Sequence, residues 1–224
     1  GLRRAGNVRN IWYQTIGLGA TACELVRYQS INVRMERLVW VSNRLPVRLV
    51  ERDAQGTDGA TIEVLRSSGG LASALRDLRS SMRAHWIGWP GSVAEDRQTE
   101  AQRVLAVQDA TAIFLSDDEV RGYYEGFANG VLWPVLHGNI DKLPLDIEHT
   151  WRAFESVSRR FADVCVGRAR QGEPIWLHAF HLALVPSLVR ERVLGAKIGF
   201  FLHVPFPPID VFAALPRWRD IMCG

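Results

Sequence analysis

Residues 197–204 form an uncharged apolar run after Lys197, and this pattern predicts a buried parallel strand. Proline has no backbone N–H to give to a neighbouring strand, so we expect the ladder to end before Pro205. The strand would deliver His203 to its carboxyl end, where ligands bind in open α/β sheets. Taken alone, the segment is better explained as a core strand whose histidine is merely hydrogen-bonded.

Similar blocks along the chain predict the remaining elements. The predicted strands are 38–42, 86–89, 111–115 and 174–178, with a hairpin formed by 47–50 and 61–65 around the turn 55–59. Four helices are predicted. The first follows 67–70, and the second begins at the capping box Ser116–Glu119. The third spans 150–170 and is ended by Gly172, and the fourth spans 181–193. Strand, helix and strand with short links predict a right-handed βαβ unit. The fold class is therefore α/β, a Rossmann-like parallel sheet with flanking helices and an added β-hairpin.

Charge is unevenly distributed along the chain. Five of the 27 basic residues but only one of the 24 acidic residues lie within 1–34, so the rest is close to neutral and shows no nucleic-acid footprint. Met35 directly precedes a predicted strand, and we expect 1–34 to be a non-native or disordered leader ahead of one domain, 35–224. No apolar run approaches the roughly 20 residues that span a bilayer. We therefore expect no membrane contact. The 3 cysteines are widely separated, which favours a cytoplasmic protein without a disulfide framework.

Several predicted strand ends carry residues suited to ligand binding. Arg44 follows the first strand, where a guanidinium fork can take a phosphate, although a plain surface arginine is an equal alternative. Gly69 and Gly70 at a helix start can offer backbone N–H groups to an anion, although most such pairs are turns. The segment 123–134 is rich in aromatic residues that suit sugar rings, while core packing is the better account of Phe127 and Leu132.

Two other candidate sites are weaker. His178 and His181 are three residues apart, but no third metal ligand is visible, so we expect no metal. The segment Gly17–Ala22 matches the dinucleotide fingerprint G-x-G-x-x-A, which would indicate an oxidoreductase. The fingerprint needs an acidic residue at the end of the next strand, whereas Glu36 precedes its strand. This function therefore ranks last.

Six motifs in fixed order carry a family resemblance. They occupy 42–46, 68–71, 86–91, 123–134, 176–182 and 199–207. Together they resemble the amino-terminal half of trehalose-6-phosphate synthases, which are retaining glycosyltransferases of the two-domain GT-B fold. The resemblance implies transfer of glucose from UDP-glucose to glucose 6-phosphate, giving α,α-trehalose 6-phosphate without cofactor or metal. It also allows a homo-oligomer.

The resemblance also implies roles for residues on the acceptor side. Arg44 would grip the acceptor phosphate. Tyr124 and Trp133 would shape the acceptor site, with Trp89 lining it. These residues define 35–224 as the acceptor-side domain.

On the donor side, Gly69 and Gly70 would let the backbone approach the diphosphate. His203 is the expected catalytic residue and would contact the donor glucose. Further donor contacts belong to the second domain of the resembling enzymes. We therefore expect this chain, truncated before that domain, to be inactive alone.

Three positions depart from the family pattern. Ala179 replaces an expected aspartate, Phe180 a tyrosine, and Gly138 a residue that is usually aromatic. An alanine methyl accepts no hydrogen bond, so the loss predicts lower activity. Two alternatives stay open: a relative that uses another acceptor such as glycerol 3-phosphate, and a non-catalytic regulatory protein that binds sugar phosphate.

Overall fold

The computed structural model describes residues 37–53, 60–66, 83–169 and 172–222. The strands are β1 (Arg37–Arg44), β2 (Val47–Asp53), β3 (Ala60–Arg66), β4 (Arg83–Trp89), β5 (Ala110–Ala112), β6 (Ile175–His178) and β7 (Ile198–Phe201). The α-helices outside 117–136 are α1 (Gln98–Ala106), α3 (Glu148–Arg168), α4 (Val185–Arg192), α5 (Ile209–Phe212) and α6 (Trp218–Met222). Single 3₁₀ turns occupy Glu95–Arg97, Ile140–Lys142 and Phe180–Leu182.

The helical stretch from 117 to 136, here called α2, has three consecutive parts. They are Asp117–Glu119, the π-helical Val120–Leu132, and Trp133–Leu136. The predicted capping box is confirmed, because the Glu119 backbone N–H donates to Ser116 Oγ and the Ser116 N–H donates to the Glu119 carboxylate. The helix continues far beyond the predicted start and contains the whole aromatic segment 123–134.

Five strands form one parallel sheet in the order β5-β4-β1-β6-β7, which confirms the α/β prediction. The predicted hairpin is also present, with β2 and β3 pairing antiparallel from Val47↔Arg66 to Asp53↔Ala60. In the central strand, Val39 and Val41 pack among α2, α3 and α4 on one face, whereas Leu38 and Trp40 pack near α1 on the other. Apolar side chains are therefore required on both faces, which explains the unbroken apolar run of β1.

The structure corrects the prediction of a buried strand over 197–204. The strand β7 is parallel to β6 as expected, but it covers only Ile198–Phe201 and lies at the edge of the described sheet. Phe200 and Phe201 are 38% and 48% exposed. An apolar run has the same sequence pattern whether its strand pairs with neighbours on both sides or lies at the edge of the sheet. Periodicity therefore could not distinguish the two cases.

Other element boundaries also differ from prediction. The strand predicted over 111–115 ends at Ala112, and the helix predicted over 181–193 is divided into a 3₁₀ turn and α4. Helix α3 ends at Arg168 rather than at Gly172. Its predicted apolar face is confirmed, since Trp151, Phe154 and Phe161 are buried. The leader 1–34 and the helix expected after 67–70 lie outside the described residues.

Candidate active site at the carboxyl edge of the sheet

The carboxyl ends of β4, β1, β6 and β7 lie side by side and bring the predicted residues together. Arg44 pairs in register with Trp89 on one side of β1, and Ser42 pairs with His178 on the other. His178 in turn pairs with Phe201, two residues before His203. Parallel strands end at one edge of the sheet, so residues far apart in sequence meet there.

A local irregularity aims Arg44. The register of β1 against β4 shifts between Val41 and Arg44, and Ser42 lies within the shift. The Ser42 hydroxyl donates to the Arg44 carbonyl at 2.6 Å and accepts from the Trp86 indole N–H at 3.0 Å. Gly88 permits this close approach, since a Cβ there would lie 2.7 Å from the Ser42 carbonyl oxygen.

The first group of site residues is the arginine–aromatic cluster of Arg44, Trp89 and Tyr124. The Arg44 guanidinium carbon lies 4.1 Å from the Trp89 ring centroid and 5.9 Å from that of Tyr124. Trp89 is only 3% exposed, whereas Arg44 is exposed. Among the described residues, no carboxylate pairs with Arg44. The Trp89 ring supports the planar guanidinium of Arg44, and the guanidinium N–H groups remain available to an anion.

An aromatic wall continues from this cluster. The Tyr124 and His181 rings stack with centroids 5.5 Å apart, and His181 stacks on Phe180 at 4.1 Å. Trp133 then contacts Phe180 at 5.4 Å and is 43% exposed. An exposed indole at the end of such a wall is suited to a sugar ring, whose C–H face stacks while its hydroxyls face solvent or polar groups.

The second group is the histidine pair. A 2.8 Å hydrogen bond joins Nδ1 of His178 to Nε2 of His203. His178 is 5% exposed and stacks on Trp40 with ring centroids 4.3 Å apart. The pKa of His178 is lowered to about 3, mainly by burial and to a smaller extent by the neighbouring His203. Burial also lowers the pKa of His203. Both rings are therefore neutral near pH 7, and His203 keeps one ring nitrogen for a ligand.

Backbone strain accompanies the histidine pair. Ala179 has φ 74° and ψ 155°, and His203 has φ 69°. These are left-handed values that residues with a Cβ rarely adopt. The Ala179 N–H donates to the Phe201 carbonyl at 2.8 Å, so the strained residue ties the end of β6 to the end of β7.

The structure brings most of the predicted site residues to one edge of the sheet and adds partners that were not predicted. Arg44, Trp89, Tyr124 and Trp133 lie along one connected surface, and His203 lies at the same sheet edge. Gly69 and Gly70 lie outside the described residues. The missed partners are His178, Trp40, Asn43 and Tyr123. His178, Asn43 and Tyr123 lie within the ordered motifs, but a motif does not report which side chains contact each other, and Trp40 lies outside the motifs.

Within 37–53, 60–66, 83–169 and 172–222, no group of three or more His, Cys, Asp or Glu side chains is placed to hold a metal ion. In the same ranges, no helix combines the length and apolar character needed to cross a bilayer.

The fold and the edge site define the class of the protein, an α/β protein whose candidate site lies at the carboxyl edge of a parallel sheet. The model of glycosyltransferase family 20 matches residues 36–224, and the chain belongs to that family. The trehalose-6-phosphate synthase of Mycobacterium avium is 41% identical over 189 residues, covering 83% of this chain but 37% of the relative. The chain thus spans about two fifths of the curated relatives it matches, and it corresponds to their amino-terminal portion.

Solved structures agree with this assignment. An α,α-trehalose-phosphate synthase (UDP-forming) from Burkholderia xenovorans in complex with glucose-6-phosphate aligns with TM-score 0.60 and 28% identity, covering 83% of this chain and 37% of that one. A structure from E. coli bound with UDP-2-fluoro glucose aligns with TM-score 0.61 and 28% identity over the same shares.

Proposed function

We propose that this chain supplies the acceptor side of a retaining glycosyltransferase that transfers glucose from UDP-glucose to glucose 6-phosphate. The product would be α,α-trehalose 6-phosphate. The relatives named above are trehalose-6-phosphate synthases, and one solved relative holds glucose-6-phosphate. The cysteine usage and a sugar-phosphate reaction of this kind support a cytoplasmic location in this proposal.

The observation that carries the proposal is the arginine–aromatic cluster. Arg44 lies over the Trp89 ring and is exposed, and Trp133 extends the same wall. A phosphate monoester binds the guanidinium fork through two parallel hydrogen bonds. The attached hexose then lies over the aromatic wall, which fixes its orientation towards the histidine pair.

The donor lies on the other side of the edge in this proposal. His203, neutral and held through Nε2 by His178, presents its remaining ring nitrogen to a hydroxyl of the donor glucose. The chain's own contribution to the reaction is then orientation and exclusion of water. Stabilisation of the departing diphosphate would involve Gly69 and Gly70 together with groups of the longer protein.

The test compares the affinities of the chain for glucose 6-phosphate and glucose, and the effects of two arginine variants on the first of these. Glucose 6-phosphate should bind the chain in isothermal titration more tightly than glucose, and Arg44→Ala should weaken its binding by roughly tenfold to a hundredfold. Arg103→Ala removes another exposed arginine, on α1, and should leave the affinity unchanged. Equal loss from both variants would refute the assignment of Arg44. Tighter binding of glycerol 3-phosphate would favour the alternative acceptor.

Ala179 favours one further function, a regulatory protein that binds sugar phosphate without turnover. In any longer protein that contains this chain, Ala179→Asp should raise the rate of glucose transfer at least roughly tenfold, since one charge-assisted hydrogen bond is restored. Ala183→Asp, four residues further along, controls for an added carboxylate. No gain, together with retained glucose 6-phosphate binding, would favour the regulatory function.

A further inference from the structure

The Tyr123 hydroxyl lies where three segments of the site meet. Tyr123 is fully buried in α2, and its hydroxyl donates to Asn43 Oδ1 at 2.8 Å. The His181 carbonyl oxygen lies 3.3 Å from the same hydroxyl and offers a second, weaker acceptor. These partners are 80 and 58 residues away along the chain. One O–H therefore joins the end of β1, helix α2 and the turn after β6.

Each partner adjoins a residue of the proposed acceptor site. Asn43 precedes Arg44, Tyr123 precedes Tyr124, and His181 stacks on the Tyr124 ring. We infer that the Tyr123 hydroxyl is a positioning group, which sets the relative placement of Arg44, Tyr124 and the turn at His181. The expected effect of this hydroxyl on ligand affinity rests on the proposed function, whereas its effect on the placement of the three segments does not.

The chemistry of the pocket supports a specific role for the hydroxyl. Burial raises the pKa of Tyr123 well above its ordinary value, so the group remains a donor across the accessible pH range. The ring itself is held by Phe154 and Phe161, with centroids 5.7 and 6.4 Å away. A phenylalanine would satisfy the same apolar contacts. Selection of tyrosine at this buried position is therefore explained by its hydrogen bonds to the site segments.

The decisive comparison is Tyr123→Phe against Ser158→Ala. Both remove one buried hydroxyl, but Ser158 bonds only the Phe154 carbonyl within α3, at 2.6 Å. In hydrogen exchange measured without ligand, Tyr123→Phe should speed exchange roughly tenfold or more at the amides of Leu45 and Leu182. These amides are hydrogen-bonded to Trp89 and Ala179 respectively, next to the joined segments. Ser158→Ala should leave both unchanged.

Affinity for glucose 6-phosphate provides the second measurement, made well below the unfolding transition. Tyr123→Phe should weaken binding by roughly tenfold, and Ser158→Ala should leave it at the native value. Asn43→Ala removes the acceptor instead of the donor and should reproduce the Tyr123→Phe exchange pattern. It decides the case if Tyr123→Phe does not fold.

The outcomes separate the two proposals. Unchanged exchange at Leu45 and Leu182 in Tyr123→Phe, or equal acceleration in Ser158→Ala, overturns the positioning role. Failure of the native chain to bind glucose 6-phosphate overturns the proposed function, while exchange still decides the role of Tyr123. Faster exchange combined with unchanged affinity would overturn the extension of that role to ligand binding.

Discussion

Strained residues mark the junction of β6 and β7. Ala179 occupies φ 74° and ψ 155°, a region that is essentially restricted to glycine, yet it carries a Cβ. Its backbone N–H is held by Phe201, and its neighbour His178 is held by His203. Surrounding bonds thus impose the conformation, and the strain is the consequence of bringing two strand ends together.

Ala179→Gly should raise the free energy of unfolding by about 1 kcal/mol. Glycine relieves roughly 1–3 kcal/mol of strain and loses about 0.4–1 kcal/mol through a more flexible unfolded chain. Ala183→Gly is the control, since Ala183 has ordinary helical angles of φ −61° and ψ −25°. This change should lower the free energy of unfolding. Urea unfolding measures both, and a destabilised Ala179→Gly would contradict the strain.

The buried histidines should make stability depend on pH. The pKa of His178 is lowered to about 3 and that of His181 to about 4, both first by burial, from 6.5. Between pH 6.5 and those values the unfolded chain binds more protons, so the free energy of unfolding falls as pH falls. His178→Asn removes one of these groups and should make the curve less steep between pH 6.5 and 5, while His181 still contributes. An unchanged slope in His178→Asn would refute this assignment.

At the scale of elements, α2 depends on close contact with α3. Gly122 lies where a Cβ would come 2.6 Å from the Ala153 Cβ, and Gly126 where one would come 2.6 Å from Thr150 Cγ2. The absence of side chains at these positions lets the two helices approach. This approach places Tyr123 against Phe154 and therefore sets the position of Tyr124 at the site.

Gly122→Ala should destabilise the protein by about 1–3 kcal/mol although alanine is the better helix former, because the added methyl overfills the contact. Adding Ala153→Gly should recover part of the loss and give a favourable coupling of about 1 kcal/mol in a double-mutant cycle. Gly167→Ala in α3 is the control: nothing lies within 4 Å of its Cβ, so it should stabilise. Additive effects of the first pair would exclude direct contact.

At the scale of the whole molecule, β7 leaves one apolar edge of the described sheet exposed. Phe200 is 38% exposed and belongs to a strand that pairs with β6 alone among the described strands. Open edges of this kind pair with other chains. Self-association of this chain is therefore expected to involve β7.

Phe200→Lys should weaken self-association by roughly tenfold or more in sedimentation velocity, because a charged side chain at an edge opposes strand pairing. Leu194→Lys adds the same charge at a residue that is 89% exposed but lies in the loop before β7. It should have a smaller effect. If both variants associate like the native chain, the edge is not the contact.

Much of the fold and part of the site could be predicted because they depend on short-range patterns. The apolar run of β1, the apolar face of α3 and the capping box at Ser116 are local features, and the structure confirms them. The ordered motifs also indicated Arg44 and His203, since residues at the ends of parallel strands share one edge. The sequence by itself thus determined the α/β class, the family and the principal candidates for binding.

Only the tertiary structure decided how those candidates act together. Asn43 and Tyr123 are 80 residues apart, and His178 and His203 are 25 apart, so no local pattern reports their hydrogen bonds. The support of Arg44 by Trp89, the left-handed backbone of Ala179 and the open edge at Phe200 likewise follow from which strands are neighbours. Periodicity records which side chains prefer burial, whereas strand order and helix contact determine what each side chain meets.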